Sequence, residues 1–536
     1  MNPRTTVLAI IALGMVALGV SDVTGQQIPL APRAAGSSQT EISPAAMQEL
    51  YQRLLQAEQR IQELESRPPA AGTRTPAMAT GTVLNRGWED EAEAKTAAAA
   101  KTAAEAKAKE NEELAKRLKK LEESAEKQKK DDEKKKADAA KKPTQKWTGR
   151  VHADYWGFPN ESPLANQLET GDPSVDPLDR FNFRRLRFGV AGDILDTMNY
   201  KIEMEFADPS NIAFKDAYLG WQELPFLQTV LLGNQKRPYG LDHLNSSRYN
   251  VFMERPYVVE AFNQDARRMG LQSYGVSEDE RFNWRFGTFF LEDVSKIGGY
   301  EGDQYQMEVA GRFANTIWYD ETSDGRGYAH WAVSGSYADP SANAASPQSR
   351  FRTRPEARSS NRWLDTGVIP GAESYELVGL EGVVNVGSLQ VVGEWMNTWV
   401  HRSTGSGPDV RFDGGYVYMA YFLTGEHTPW ELDSGTIGRV KPFENFFLVD
   451  RLNGCRGRGL GAWQVAARYS HGDFSDNDIF GGVGDSVTLG MNWWWTAYSR
   501  WQFNYIHGSI AQRDGILPGT DSGDYDIFGM RFMVDF

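Results

Sequence analysis

The sequence predicts an all-β transmembrane barrel of about sixteen antiparallel strands, preceded by an N-terminal helical arm. Three observations carry that expectation. From Trp147 onward the residues alternate apolar and polar with a period of two, the pattern of strands with one greasy and one wet face. Beyond the first twenty residues no run reaches eighteen uninterrupted apolar residues, which excludes a helical membrane protein on length. The last strand carries Phe528, Met530, Phe532, Val534 and Phe536 on one face, which resembles the terminal aromatic pattern of outer-membrane barrels.

The elements follow in chain order. Arg4, the apolar run Val7 to Val20 and the small residues around Gly25 read as a signal peptide over residues 1–25, because the run is short of the roughly 20 residues a spanning helix needs. A linker (26–40) leads to a short coiled coil over 41–66, where Met47, Leu50, Leu54, Ala57, Ile61 and Leu64 keep one seam towards a partner; a surface helix is the other reading. Pro68 and Pro69 stop it, and a Pro/Ala-rich linker spans 67–90. Residues 91–146, dominated by Ala, Lys and Glu, favour helix but bury almost nothing and read as a periplasmic spacer. Cys455 is the single cysteine, so no intrachain disulfide forms. A barrel of paired backbone groups, over 147–536, supplies stability instead.

Candidate strands fall at about 147–157, 180–191, 198–207, 214–223, 228–236, 266–276, 281–291, 304–313, 329–338, 374–386, 388–400, 412–424, 461–470, 484–495, 499–511 and 524–536. A soluble sandwich also alternates, so the aromatic positions decide. Trp399, Trp501 and the run Trp493 to Trp495 sit at strand ends, where interfacial girdles lie. Long loops alternate with short turns, the longest from about Asp339 to Gly371 and from about Gly425 to Gly459. A barrel of this size leaves an aqueous channel.

The lumen chemistry points to anions through residue type and not through net charge. From Trp147 on there are 29 arginines and 5 lysines against 51 acidic residues, a net charge of −17. Much of that charge belongs to loops and turns, which act weakly on an ion inside a constriction. The arginine bias favours forked recognition of phosphate and carboxylate. Strand parity sends Arg185 and Arg187 into the lumen, opposite Leu186 and Phe188, and leaves Arg184 on the lipid side unless a bulge intervenes. Arg267 and Arg268 precede another strand, and Arg350, Arg352, Arg354, Arg358 and Arg362 share one loop. That loop reads either as a basic vestibule or as a solvated face towards lipopolysaccharide.

Several segments resemble the phosphate-selective porin O and P family: Gly233-Asn-Gln-Lys-Arg-Pro-Tyr-Gly240, Asn245-Ser-Ser-Arg-Tyr249, Phe252-Met-Glu-Arg255, Phe181-Asn-Phe-Arg-Arg-Leu-Arg187, Lys215-Asp-Ala-Tyr-Leu-Gly220, Tyr421-Phe-Leu-Thr-Gly-Glu426 and Gly461-Ala-Trp-Gln-Val-Ala-Ala-Arg-Tyr-Ser470. The resemblance implies a sixteen-stranded homotrimeric porin of the bacterial outer membrane that passes small anions by diffusion, phosphate or polyphosphate being the namesake substrates, with no cofactor, metal or nucleic acid. It further implies anion contacts at Arg184, Arg185, Asp216, Ser246, Ser247, Arg248 and Arg255, to which strand parity adds Arg187. Hydroxyls beside guanidinium groups both donate to oxyanion oxygens. The structural alternative is a set of loop-holding ion pairs, such as Arg255 with Glu254 or Asp242. Departures are His243, near where the strongest binders are expected to carry lysine, and the acidic Glu203, Glu205 and Asp216.

Two other functions compete. One is an envelope tether, a weakly selective barrel whose arm reaches peptidoglycan. The other is an enzyme, against which the seven histidines show no metal-ligand spacing and no Gly-x-Ser-x-Gly elbow is present.

Overall fold

The computed structural model describes residues 143–536 apart from 264–266, 294–304, 342–346, 451–455 and 514. The signal peptide, coiled coil, linkers and nearly all of the helical spacer therefore lie outside the described residues. Among those described, no helix is long and apolar enough to cross a membrane, and the spanning elements are strands.

Sixteen antiparallel strands close on themselves. They are β1 (Lys146–Glu161), β2 (Arg180–Leu195), β3 (Met198–Glu205), β4 (Ala213–Leu224), β5 (Gln228–Lys236), β6 (Arg267–Val276), β7 (Phe282–Phe290) and β8 (Met307–Tyr319), followed by β9 (Gly327–Asp339), β10 (Ala372–Val386), β11 (Leu389–Arg402), β12 (Val410–Phe422), β13 (Ala462–Asp476), β14 (Ile479–Thr496), β15 (Ser499–Ala511) and β16 (Gly523–Asp535). Each predicted strand corresponds to one of these in order. Closure runs through β1 and β16, from Arg150 opposite Asp535 to Glu161 opposite Tyr525. Gly149 and Phe536 extend it by exchanging backbone hydrogen bonds at 3.0 and 3.1 Å, so the ladder is completed at the chain end. A closed ladder leaves no unpaired backbone in lipid, which is why a barrel and not an open sheet is stable there.

Outward residues are apolar and exposed, as in Val487, Leu489 and Met491 of β14, while their neighbours Ser486, Thr488 and Asn492 are buried inward. Strand count fixes the ends. The connections after β2, β4, β6, β8, β10, β12 and β14 share one end with both edges of the barrel sequence, and the others lie opposite. Most connections at the first end are short, so it is the periplasmic turn end.

Two long connections depart from the sequence expectation. The segment from 423 to 461, grouped above with the long loops, follows β12 and so belongs to the turn end. Part of it enters the barrel: Trp430 Nε1 donates to Thr316 Oγ1 at 3.0 Å, Tyr328 Oη to the Thr428 carbonyl at 3.0 Å, and the Ile437 N–H to Asn245 Oδ1 at 3.0 Å. Its remainder forms a small hairpin, Phe447–Asp450 paired with Arg456–Gly459. The arginine-bearing connection between β9 and β10 is neither an open vestibule nor a solvated face throughout, because Phe351, Ala357, Trp363 and Leu364 are buried. There Arg350 pairs with Asp365 at 2.5 Å, Arg354 with Glu260 at 2.9 Å, and Glu356 with Arg468 at 2.7 Å.

A third infolded segment, between β5 and β6, crosses the bore to reach Glu394 of β11. Pro238 lacks a ladder donor and directly follows Arg237, which pairs with Glu308 at 2.7 Å. Gly240 then takes φ +79° where a Cβ would lie 2.6 Å from Met396 Cε, a backbone suited to glycine. That turn starts the short helix α1 (Leu241–Leu244) and aims the Leu241 and Asp242 N–H groups at Glu394, at 2.7 Å each. Leu241, Val251, Phe252, Met253, Tyr257 and Val258 are buried, and Phe262 of helix α2 (Tyr257–Asn263) meets Phe351 edge-on at 5.6 Å between centroids. Burial of each such side chain contributes about 1.5–3 kcal/mol. The expected polar lumen is thus partly filled by an apolar core of infolded segments.

Removing the Glu394 anchor leaves two buried N–H donors unmet, at about 1–3 kcal/mol each. Glu394→Ala is expected to lower the temperature at which the folded barrel unfolds on semi-native gels and to raise single-channel conductance. Unchanged values for both would show that the carboxylate does not hold the segment.

Candidate functional site

Where the infolded segment faces β1 to β7, their inner faces and the loop enclose a cavity of about 370 Å³. Its lining includes nine cationic side chains, Arg150, Arg185, Arg187, Lys201, Lys236, Arg248, Arg255, Arg267 and Arg285, and one carboxylate, Asp216. Ser246, Ser247, Tyr218 and Gln235 add neutral hydrogen-bonding groups.

Period-two alternation places most of these groups. On β1, Arg150 and His152 point inward between Val151 and Ala153; on β3, Lys201, Glu203 and Glu205 alternate with Tyr200, Ile202 and Met204. Glu203 and Glu205 lie behind the lining as counter-charges. Arg150 donates to Ser247 Oγ and to Glu203, both at 2.8 Å. Arg187 bridges Glu205 at 2.6 Å and Glu203 at 3.0 Å. Asp216 accepts from Arg267 Nε at 2.6 Å and also pairs with Lys201. A carboxylate repels an anion, so Asp216 acts here by holding two cations in place.

Of the residues expected at the site, Arg185, Arg187, Asp216, Ser246, Ser247, Arg248 and Arg255 all line this cavity. Arg184 does not line it, and its position depends on a bulge. Pairing of β1 with β2 passes from His152 opposite Arg185 to Ala153 opposite Phe183, skipping Arg184, so parity no longer confines it to the lipid side. It reaches inward and grips Glu254 of the infolded segment at 2.7 and 2.9 Å. Arg531 of β16 holds the same carboxylate at 2.7 Å. Arg255 meets Asp242 at 3.2 Å, the structural ion pair weighed above, and Arg248 meets Asp535 at 2.9 Å.

Arg185 and Lys236 differ from the rest. Arg185 is 3% exposed and meets no carboxylate at ion-pair distance among the described residues; its polar neighbour is His152 Nδ1, at 3.4 Å. Lys236 donates to the Leu244 and Asn245 carbonyls at 2.7 and 2.9 Å. Around the cavity the nine cations face five carboxylates, Glu203, Glu205, Asp216, Asp242 and Asp535, so the local field is positive although the barrel is acidic. His243, on α1 and outside the spanning strands, adds no charge. Burial, with the charges of Lys236 and Arg255, holds its imidazole well below the usual histidine range.

The expected site set omitted Arg150, Lys201, Lys236 and Arg285. Alternation along their strands makes Arg150, Lys201 and Arg285 legible as wet-face residues, whereas Lys236 closes β5 and is drawn to the cavity by the Leu244 and Asn245 carbonyls of the infolded segment. Among the described residues no group of three or more His, Cys, Asp or Glu side chains is placed to hold a metal ion.

The chain is 28% identical over 367 residues to an uncharacterized protein of Caulobacter vibrioides, covering 66% of this chain and 68% of that one. It is 26% identical over 167 residues to Porin O of Pseudomonas aeruginosa, covering 30% and 34%. Among solved structures it is similar to an anion-selective porin from Comamonas acidovorans (14% identity, TM-score 0.42, covering 73% of this chain and 99% of that one) and to the trimer form of OmpT from Vibrio cholerae (12%, 0.44, 73% and 99%). The family profile described as phosphate-selective porin O and P matches residues 146–536, the whole closed barrel. The chain therefore belongs to the phosphate-selective porin O and P family and is a β-barrel channel of the outer membrane.

Proposed function

We propose that the barrel passes small anions by diffusion, with phosphate and short polyphosphates as favoured solutes, and that the cavity under the infolded segment is the selectivity site. The observation that carries this reading is the nine-to-one excess of cationic over carboxylate side chains on its lining. Guanidinium forks and the Ser246 and Ser247 hydroxyls supply donors that replace an oxyanion's hydration shell. Carboxylates set behind the lining keep the arginines extended while leaving a net positive field. A homotrimer belongs to the same proposal, supported by family membership and by the seam predicted over 41–66, since a coiled coil and a trimeric barrel share a symmetry axis.

Planar-bilayer recordings under a salt gradient test it. The reversal potential is expected to report anion preference, and millimolar phosphate to reduce chloride current; cation preference without block would overturn the reading. Within the site, Arg185→Ala is expected to weaken phosphate block by about 10- to 100-fold, the worth of one charge-assisted contact. Arg255→Ala is expected to change it far less, because Asp242 already neutralises that guanidinium. Equal effects of the two substitutions would remove Arg185 from the proposed contact set.

A further inference from the structure

We infer that the hairpin Phe447–Asp450/Arg456–Gly459, with the tryptophans beneath it, is a docking surface for anionic phospholipid headgroups of the periplasmic leaflet. The connection that carries it leaves the barrel after Arg439, which holds Asp535 of the last strand and donates to the Ala497 carbonyl at 2.6 Å. The chain then crosses the rim to the outside. The Phe446 N–H donates to the Trp495 carbonyl at 2.7 Å, and the Phe446 ring lies 4.6 Å from Trp493 and 5.3 Å from Trp495, centroid to centroid.

Those two tryptophans share the parity of Val487, Leu489 and Met491, the lipid-facing side of β14, so the rings of the hairpin base lie on the exterior of the barrel. Trp463 stacks on Trp493 at 4.7 Å, and Trp495 continues to Phe532 at 5.5 Å. The Nε1 groups of Trp463 and Trp493 both donate to the Leu460 carbonyl, at 3.1 and 2.9 Å. This fixes a platform of rings at the turn end, the level where aromatic residues meet headgroups. Phe443, Phe447 and Leu460 remain 67%, 55% and 71% exposed above it.

Charge identifies the occupant. Among the described side chains of residues 441–460, Lys441, Arg456 and Arg458 are basic against Glu444, in a barrel of net charge −17. Lys441, Arg456 and Arg458 are exposed. A cationic rim above an exposed aromatic platform, at the membrane–periplasm boundary of an outer-membrane protein, matches a phosphodiester headgroup above acyl chains. The inference is independent of which solute crosses the pore.

Native mass spectrometry of the full-length chain in detergent, offered equimolar phosphatidylglycerol and phosphatidylcholine, tests it. The wild type is expected to retain phosphatidylglycerol preferentially, and K441E/R458E to lose that preference by about fivefold per basic residue while single-channel conductance stays unchanged. Should the charge reversal fail to fold on semi-native gels, K441Q/R458Q serves, with a smaller loss in the same direction. Equal retention of the two lipids by the wild type, or an unaltered preference in the folded variant, would overturn the inference. So would F447S that dissociates the oligomer while leaving lipid retention intact, which would assign the platform to a contact between copies.

Discussion

Everything in this molecule depends on the absence of a free sheet edge in lipid. Backbone N–H and C=O groups have no water to turn to within the hydrocarbon, so the sheet is stable only when β16 returns to β1. Closure fixes an even strand number, and that number assigns each connection to an end. It also sorts each strand's side chains into lipid-facing and lumen-facing sets. Arginines of the inner set cannot be left in an apolar interior without partners. Carboxylates of neighbouring strands supply several of those partners, as Glu203 and Glu205 of β3 serve Arg150 and Arg187.

The infolded segments convert a wide cylinder into a structured passage. One enters between β5 and β6, a second between β9 and β10, and the third from the opposite end after β12. They touch: Phe262 of the first meets Phe351 of the second, and Asn245 of the first accepts the Ile437 N–H of the third. Because their apolar side chains pack against one another, the cationic cavity is bounded on its inner side by a core and not by a mobile loop. This distinguishes the positive local field from the acidic whole: the carboxylates of turns such as Glu278 to Glu280 are exposed and screened, whereas those at the cavity are committed to arginines.

The period-two pattern was enough to read the strands, their order and their greasy and wet faces, because it is set by side-chain geometry along each strand alone. Arg185 and Arg187 were legible as lumen residues for that reason. Arg184 was not, since its orientation follows from a one-residue mismatch between two strands, a property of their pairing and not of either sequence. The side on which residues 423–461 emerge was implicit in the strand count, yet length alone suggests a loop on the far side. Ion-pair partners separated by hundreds of positions, such as Asp154 and Arg531, carry no local signal. The arm over residues 1–142 lies outside the described residues, so the helical reading of its composition stands as an expectation.

The last strand does more than seal the wall. Arg531 grips both Asp154 of β1 and Glu254 of the constricting segment, and Asp535 receives Arg248 from that segment and Arg439 from the turn-end insertion. Two residues of β16 thus supply charges that fasten segments far away in the sequence. A barrel lacking only this strand has, besides an open seam, an infolded segment without its ion-pair anchors. Closing the wall and anchoring the infolded segment are therefore tasks of the same strand.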